Sequence, residues 1–111
     1  MVLFLIISLA FSTIPFVFGV NVANEITLDD LQNNIAKYNL LDVRENWERE
    51  QNHINGEHIP LGELQQRFKE LKTDKPLVVY CKSGMRSKRA IVFLEDENLG
   101  MSFVNLKGGL M

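Results

Sequence analysis

The chain has 111 residues, 46% of them hydrophobic, and a formal net charge of −2, which suits one small domain and leaves little room for a second. The mild acidity carries no overall signature of nucleic-acid binding, so any basic patch must be judged locally. A single cysteine excludes a disulfide-stapled scaffold; with no paired CxxC elements and only His53 and His58 as imidazoles, the composition argues against a structural metal site.

In chain order, the first element is "VLFLIISLAFSTIPFVFGV", with no charged side chain from Val2 to Val20. An apolar run of this length reads as an export signal or a short membrane anchor, assigned to residues 1–23. No Lys or Arg precedes the apolar core, while Gly19 and Ala23 offer cleavage points. Pro15 and Gly19 fit a signal boundary better than a continuous spanning helix. The competing reading is a buried helix of a larger parent protein. The expectation is an exported protein, periplasmic or attached to a membrane through residues 2–20, with a cytoplasmic location as the alternative because a lone reduced thiol suits that compartment.

From about Asn24 onward, helix-like and strand-like pieces alternate. "ITLDDLQNNIAKY" has Thr27 with Asp30 three residues later, a capping-box signal, and Leu28, Leu31 and Ile35 on one helical face. "NLLDV" (39–43) is an apolar run too short for a helix. "ENWEREQ" reads as one or two solvated helical turns, with Trp47 as its packing residue and its acidic side chains able to screen a basic neighbour. "HIPLGELQQRFKELK" sets Leu61, Leu64, Phe68 and Leu71 at spacings of three, four and three, which predicts an amphipathic helix. "DKPLVVYC" runs without interruption through Leu77, Val78, Val79 and Tyr80, the pattern of a parallel strand buried on both faces. "SKRAIVFLEDE" predicts a helix with Ala90, Ile91 and Leu94 inward, and "SFVNL" a last strand before Gly108 and Gly109. Strands separated by helices imply right-handed crossovers and an α/β layered domain over residues 24–111.

The lone thiol, Cys81, ends the central strand and opens the loop "CKSGMRS". Ligands of parallel sheets bind beyond the carboxyl ends of the strands, where loops feed helix N-termini. Gly84 permits a tight turn with positive φ, so that successive N–H groups form an anion-binding nest. The helix dipole and Lys82, Arg86, Lys88 and Arg89 add positive potential. Each effect favours thiolate, the nucleophilic form. Against this stands the plain reading of Cys81 as a small buried hydrophobe. Cysteine-dependent phosphatases resemble C-x5-R. Here only four residues separate Cys81 from Arg86, a tighter cradle better matched to a sulfur atom.

"LLDVRENWE", "NHINGEHIPLGEL", "KPLVVYCKSGMRS" and "NLKGGL" follow one another in the order found in rhodanese-like domains, and the chain resembles that family from about Ile26 to Leu110. The leader with one short domain is similar to exported single-domain rhodaneses. The loop wording is also similar to rhodanese domains fused to ubiquitin-like-protein activating enzymes. The resemblance implies a three-layer α/β rhodanese-like fold with a central, mostly parallel sheet flanked by helices. It also implies sulfurtransferase activity in which Cys81 carries a persulfide, with no metal or organic cofactor. The amides of Lys82, Ser83, Gly84, Met85 and Arg86 would bind the outer sulfur or the departing anion. The Lys82 and Arg86 side chains would attract thiosulfate or a similar small sulfur anion. Asp42 and Arg44 match the family's D-x-R and would supply supporting hydrogen bonds and charge around the loop; the plainer reading is a surface ion pair. Ser87 reads as a helix-start residue, and His53 and His58 as structural.

The expected cycle loads Cys81 from thiosulfate or a persulfide and unloads it to cyanide, a thiol or a sulfur-acceptor protein. The rivals are a non-catalytic persulfide carrier or regulatory module, and a cysteine-dependent phosphatase or arsenate reductase. Two departures from the family pattern, Asn52 before His53 and Glu57 after Gly56, fall in a connection and should alter shape rather than activity. The third is the absence of a closing helix after "KGGL", which predicts one sheet face left partly bare.

Overall fold

The computed structural model describes residues 24–111; the leader assigned above to residues 1–23 lies outside them. Five strands form one sheet: β1 (Glu25–Ile26), β2 (Asn39–Asp42), β3 (Glu57–His58), β4 (Leu77–Tyr80) and β5 (Phe103–Leu106). Their spatial order is β1-β5-β4-β2-β3 and every pairing is parallel. The "LVVY" run therefore sits at the centre, flanked by β5 and β2, and all four of its residues are buried. Side chains alternate across a sheet, so Val79 and Cys81 join one apolar cluster while Val78 and Tyr80 join the other.

Helix α1 (Leu28–Asn33) starts as its sequence predicts, the Thr27 hydroxyl accepting the Asp30 N–H at 3.1 Å. It buries Leu31 against the Val78–Tyr80 face. Ile35 departs from the expected stripe: the chain tightens into a 3₁₀ turn at Ile35–Lys37, and Ile35 is exposed. Helix α2 (Asn46–Gln51) follows β2. The expected amphipathic helix over Leu61–Leu71 is replaced by three short turns: 3₁₀ at Leu61–Glu63, α3 at Leu64–Arg67 and 3₁₀ at Phe68–Glu70. The spacing that suggested a helix is compatible with the break, since a three-residue interval fits 3₁₀ as well as α periodicity and only the central four-residue interval is specific to an α turn. Leu64 and Leu71 still reach the core beside helix α4 (Met85–Asp96), which buries Ala90, Ile91 and Leu94 as predicted and begins two residues earlier than expected.

Helices thus cover both faces of the sheet. On the Val78–Tyr80 face, Ile26, Leu40, Val78, Tyr80 and Leu106 are buried with Leu31, while Leu28, Tyr38, Ile54, Val104 and Leu110 are only partly buried. Among the described residues no helix is long and apolar enough to cross a membrane.

The strand order fixes where a ligand can sit. From β2 the chain moves outward to β3, and from β4 it moves the other way to β5. Crossovers that diverge in this way leave a crevice between the carboxyl ends of β2 and β4. The segments opening onto it are Val43–Glu48 and Cys81–Arg86.

Candidate active site

Cys81 directly follows β4, is fully buried, and points its sulfur at the turn that starts α4. Gly84 adopts φ 101°, the left-handed conformation its lack of a Cβ permits. This turn aims the Gly84 N–H at Sγ at 3.1 Å, and the Ser87 N–H follows at 3.4 Å. The Ser87 Oγ also lies 3.4 Å from Sγ. Burial by itself raises the pKa of the thiol. The Ser87 hydroxyl and the N–H groups of Ser87, Gly84 and Ser83 outweigh burial and bring it below the ordinary thiol value. Met85 and Arg86 open α4, where first-turn amides have no intrahelical acceptor. Lys82, Ser83 and Met85 are exposed at the mouth.

Ser87 is more than a helix-start residue. It is fully buried, and its hydroxyl lies 3.1 Å from the Gly84 carbonyl and against Asn105 Oδ1. Asn105, fully buried on β5, places Nδ2 3.4 Å from the same carbonyl. In the sequence, the one signal of Asn105 is an amide within the apolar run "FVNL", which does not by itself mark a functional residue. The terminal glycines close the loop from behind. The Leu110 N–H donates to the Cys81 carbonyl at 2.8 Å. A Cβ on Gly109 would fall 2.3 Å from the Lys82 carbonyl oxygen.

Arg86 is not a free cation. Both of its terminal nitrogens donate to the Glu48 carboxylate at 2.8 Å, a bidentate pair that spans the crevice from α4 to α2. Glu48 also accepts the Glu45 N–H at 2.9 Å. It is nearly buried, and the Arg86 guanidinium pulls its pKa down to about 2 against the opposing effect of burial. The "ENWERE" segment is therefore not simply a solvated face, and one of its acids reaches the basic rim. Trp47, expected to pack, is instead 60% exposed, because α2 turns Glu48 inward in its place.

Asp42 and Arg44 are a buried pair rather than a surface one. They are 0% and 2% exposed, and the carboxylate receives the Arg44 backbone N–H at 2.9 Å and two guanidinium N–H groups at 3.0 Å. Arg49 adds a fourth donor at 3.2 Å. Arg44 stacks over the Tyr80 ring and ties down Asn52 through its side-chain and backbone oxygens. Burial opposes ionisation of Asp42, but the Arg44 hydrogen bonds and charge prevail and hold its pKa below the ordinary value. Asp42 and Tyr80 are register partners, on the sheet face opposite Cys81. His58 Nε2–H donates to the Arg44 carbonyl at 2.7 Å and His53 Nδ1–H to the Arg49 carbonyl at 3.1 Å. Both imidazoles brace the connection between α2 and β3. Among the described residues no cluster of three or more His, Cys, Asp or Glu could hold a metal ion.

Comparison with known proteins places this geometry in a family. The rhodanese-like domain model matches residues 27–111. The chain is 39% identical over 95 residues to YqhL of Bacillus subtilis, covering 85% of this chain and 75% of that one. It is 32% identical over 92 residues to a protein of Allochromatium vinosum named sulfurtransferase, covering 79% and 85% respectively. Its fold superposes on a rhodanese-related protein from Thermoplasma volcanium with a TM-score of 0.73 and 39% identity, over 79% of this chain and 87% of that one. A thiol in an amide nest at the central switch crevice, with matches on this scale, leads to one conclusion: the chain belongs to the rhodanese-like family.

Proposed function

We propose that the protein is a sulfurtransferase that moves a sulfane sulfur from thiosulfate or a persulfide donor to a thiophilic acceptor through a Cys81 persulfide. The observation that carries this reading is the set of neutral donors converging on Sγ: Gly84 N–H, Ser87 N–H and the Ser87 hydroxyl. They stabilise thiolate without a formal charge that would bind it permanently. In the first half-reaction the Cys81 thiolate attacks the outer sulfur of thiosulfate. The S–S bond of the donor breaks, sulfite leaves with the electron pair, and Cys81 becomes a persulfide anion. In the second, cyanide or an acceptor thiolate attacks the outer sulfur, and Cys81 departs as thiolate, ready to be reloaded. The amides of Lys82, Ser83, Gly84, Met85 and Arg86 hold the outer sulfur and the leaving anion.

The charge pattern refines the expected recruitment of thiosulfate. Glu48 occupies both terminal nitrogens of Arg86, which leaves Lys82 and the loop amides as the attracting groups. The same pair speaks against a phosphatase, whose arginine must be free to grip a phosphoryl group. Asp42 and Arg44 act in this proposal through the scaffold, shaping the crevice without touching the sulfur. Export through residues 1–23 remains part of the proposal, tested by whether the mature protein lacks that segment.

Intact mass after exposure to thiosulfate is the direct test. The protein should gain one sulfur atom, cyanide should remove it as thiocyanate, and Cys81→Ser should gain none. A folded native protein that takes up no sulfur from thiosulfate or from an alkyl persulfide would overturn the reading. Loading without turnover to cyanide would point to the rival role, a persulfide carrier serving a protein acceptor.

A further inference from the structure

The Ser87 hydroxyl has one proton and three acceptors within reach: Cys81 Sγ at 3.4 Å, the Gly84 carbonyl at 3.1 Å, and Asn105 Oδ1. The Asn105 amide orientation follows from its surroundings. Nδ2 faces the Gly84 carbonyl, and the reverse placement would set two acceptor oxygens against each other. With Sγ neutral, as a thiol or a persulfide, the Ser87 proton goes to Asn105, a stronger acceptor than neutral sulfur. With Sγ anionic, the charge draws the same proton to sulfur, and the buried Asn105 oxygen loses its donor. Asn105 and the thiolate therefore compete for one proton.

We infer that Asn105 is a positioning residue for the sulfur chemistry: it competes for the Ser87 hydroxyl proton, keeping it from Cys81 while the sulfur is neutral and yielding it when the thiolate forms. It never touches the donor and acts only through Ser87. The consequence is a balanced thiol. A sulfur held permanently by the hydroxyl leaves easily but attacks poorly, whereas one with a contested proton retains nucleophilicity. The charged groups on the elements around this unit are Arg86, paired with Glu48; the exposed Lys82 in the loop; and Glu25, register partner of Asn105 on β1, which lies 3.9 Å from Lys88 on α4. Among the described residues, the side-chain hydrogen bonds of Ser87 and Asn105 run only among Cys81, Gly84 and each other.

The inference rests on Cys81 being the reacting thiol, and its test reads the thiol directly rather than sulfur transfer. The ultraviolet absorbance of the thiolate is titrated against pH, with the Cys81→Ser protein as blank, for wild type, Ser87→Ala, Asn105→Leu and the double variant. Ser87→Ala should move the thiol midpoint upward by about one pH unit. Asn105→Leu should move it downward, and in the Ser87→Ala background the same change should have no effect. A downward shift of equal size in both backgrounds, or an upward shift in wild type, overturns the inference. Thiosulfate loading by the same proteins reports separately on the sulfurtransferase reading, which can fail while this coupling holds.

Discussion

The carboxyl ends of β2 and β4 carry two polar centres that differ in how completely they are satisfied. On one face, Asp42 is saturated by Arg44 and Arg49, and Arg44 by Asp42, Asn52 and the Tyr80 ring. On the other, Cys81 faces neutral donors in a loop whose first-turn amides have no intrahelical partner. Charge alone would have nominated the first centre as the functional one. A buried ion pair with every oxygen and nitrogen used has nothing left for a substrate, whereas an amide nest around a thiol does. The Glu48–Arg86 pair links the two, stiffening the crevice while subtracting a cation from it.

The contrast breaks first at Asp42. Asp42→Asn leaves Arg44 buried without its counter-charge and should cost about 3–5 kcal/mol of stability, measured by urea unfolding; a loss under about 1 kcal/mol would mean the centre is not structural. Next is Gly109→Ala. At φ 69° with a Cβ driven against the Lys82 carbonyl, it should lose about 2–3 kcal/mol and slow sulfur loading more than tenfold, because the clash falls on the loop itself.

Glu48→Gln probes the link and should cost about 1 kcal/mol at neutral pH. By freeing Arg86 it should lower the KM for thiosulfate several-fold with a smaller change in kcat. Because the folded-state pKa of Glu48 is depressed from 4.5 to about 2, the pair's stabilisation is complete above 4.5 and is lost as pH falls toward 2. Acid unfolding curves should show that component in wild type and lack it in Glu48→Gln. The smallest effect belongs to Trp47→Ala, which should alter stability by no more than about 0.5 kcal/mol; a larger loss would mean the exposed indole packs against something in solution.

How much of this was legible depended on whether the signal was local. "LVVY", "NLLD" and "FVNL" declared their strands through apolar content, and Thr27 its cap through spacing. β1 and β3, two residues each, are too short for any period to register and exist because a neighbouring strand offers an edge. The Leu61–Leu71 run misled because its two intervals of three fit 3₁₀ turns as well as an α-helix. At the site, Cys81 and Gly84 were readable from the loop, since its turn chemistry is local. Glu48 was not, because its partner lies 38 positions away in sequence and an acid on a short polar helix looks solvated. Asn105 was hidden for the same reason: its meaning comes from Ser87, on a different element.

The hydrogen bond from Leu110 to the Cys81 carbonyl bears on how the thiol comes into being. Synthesis delivers Cys81 before β5, Asn105 and the Gly108–Leu110 turn that together brace its loop, and a domain folds as a unit once its residues are available. Until that turn has docked, the loop has no backing and the nest no fixed shape. A nascent chain therefore carries an ordinary cysteine. The nest around Sγ is complete only once the later residues that brace its loop are in place.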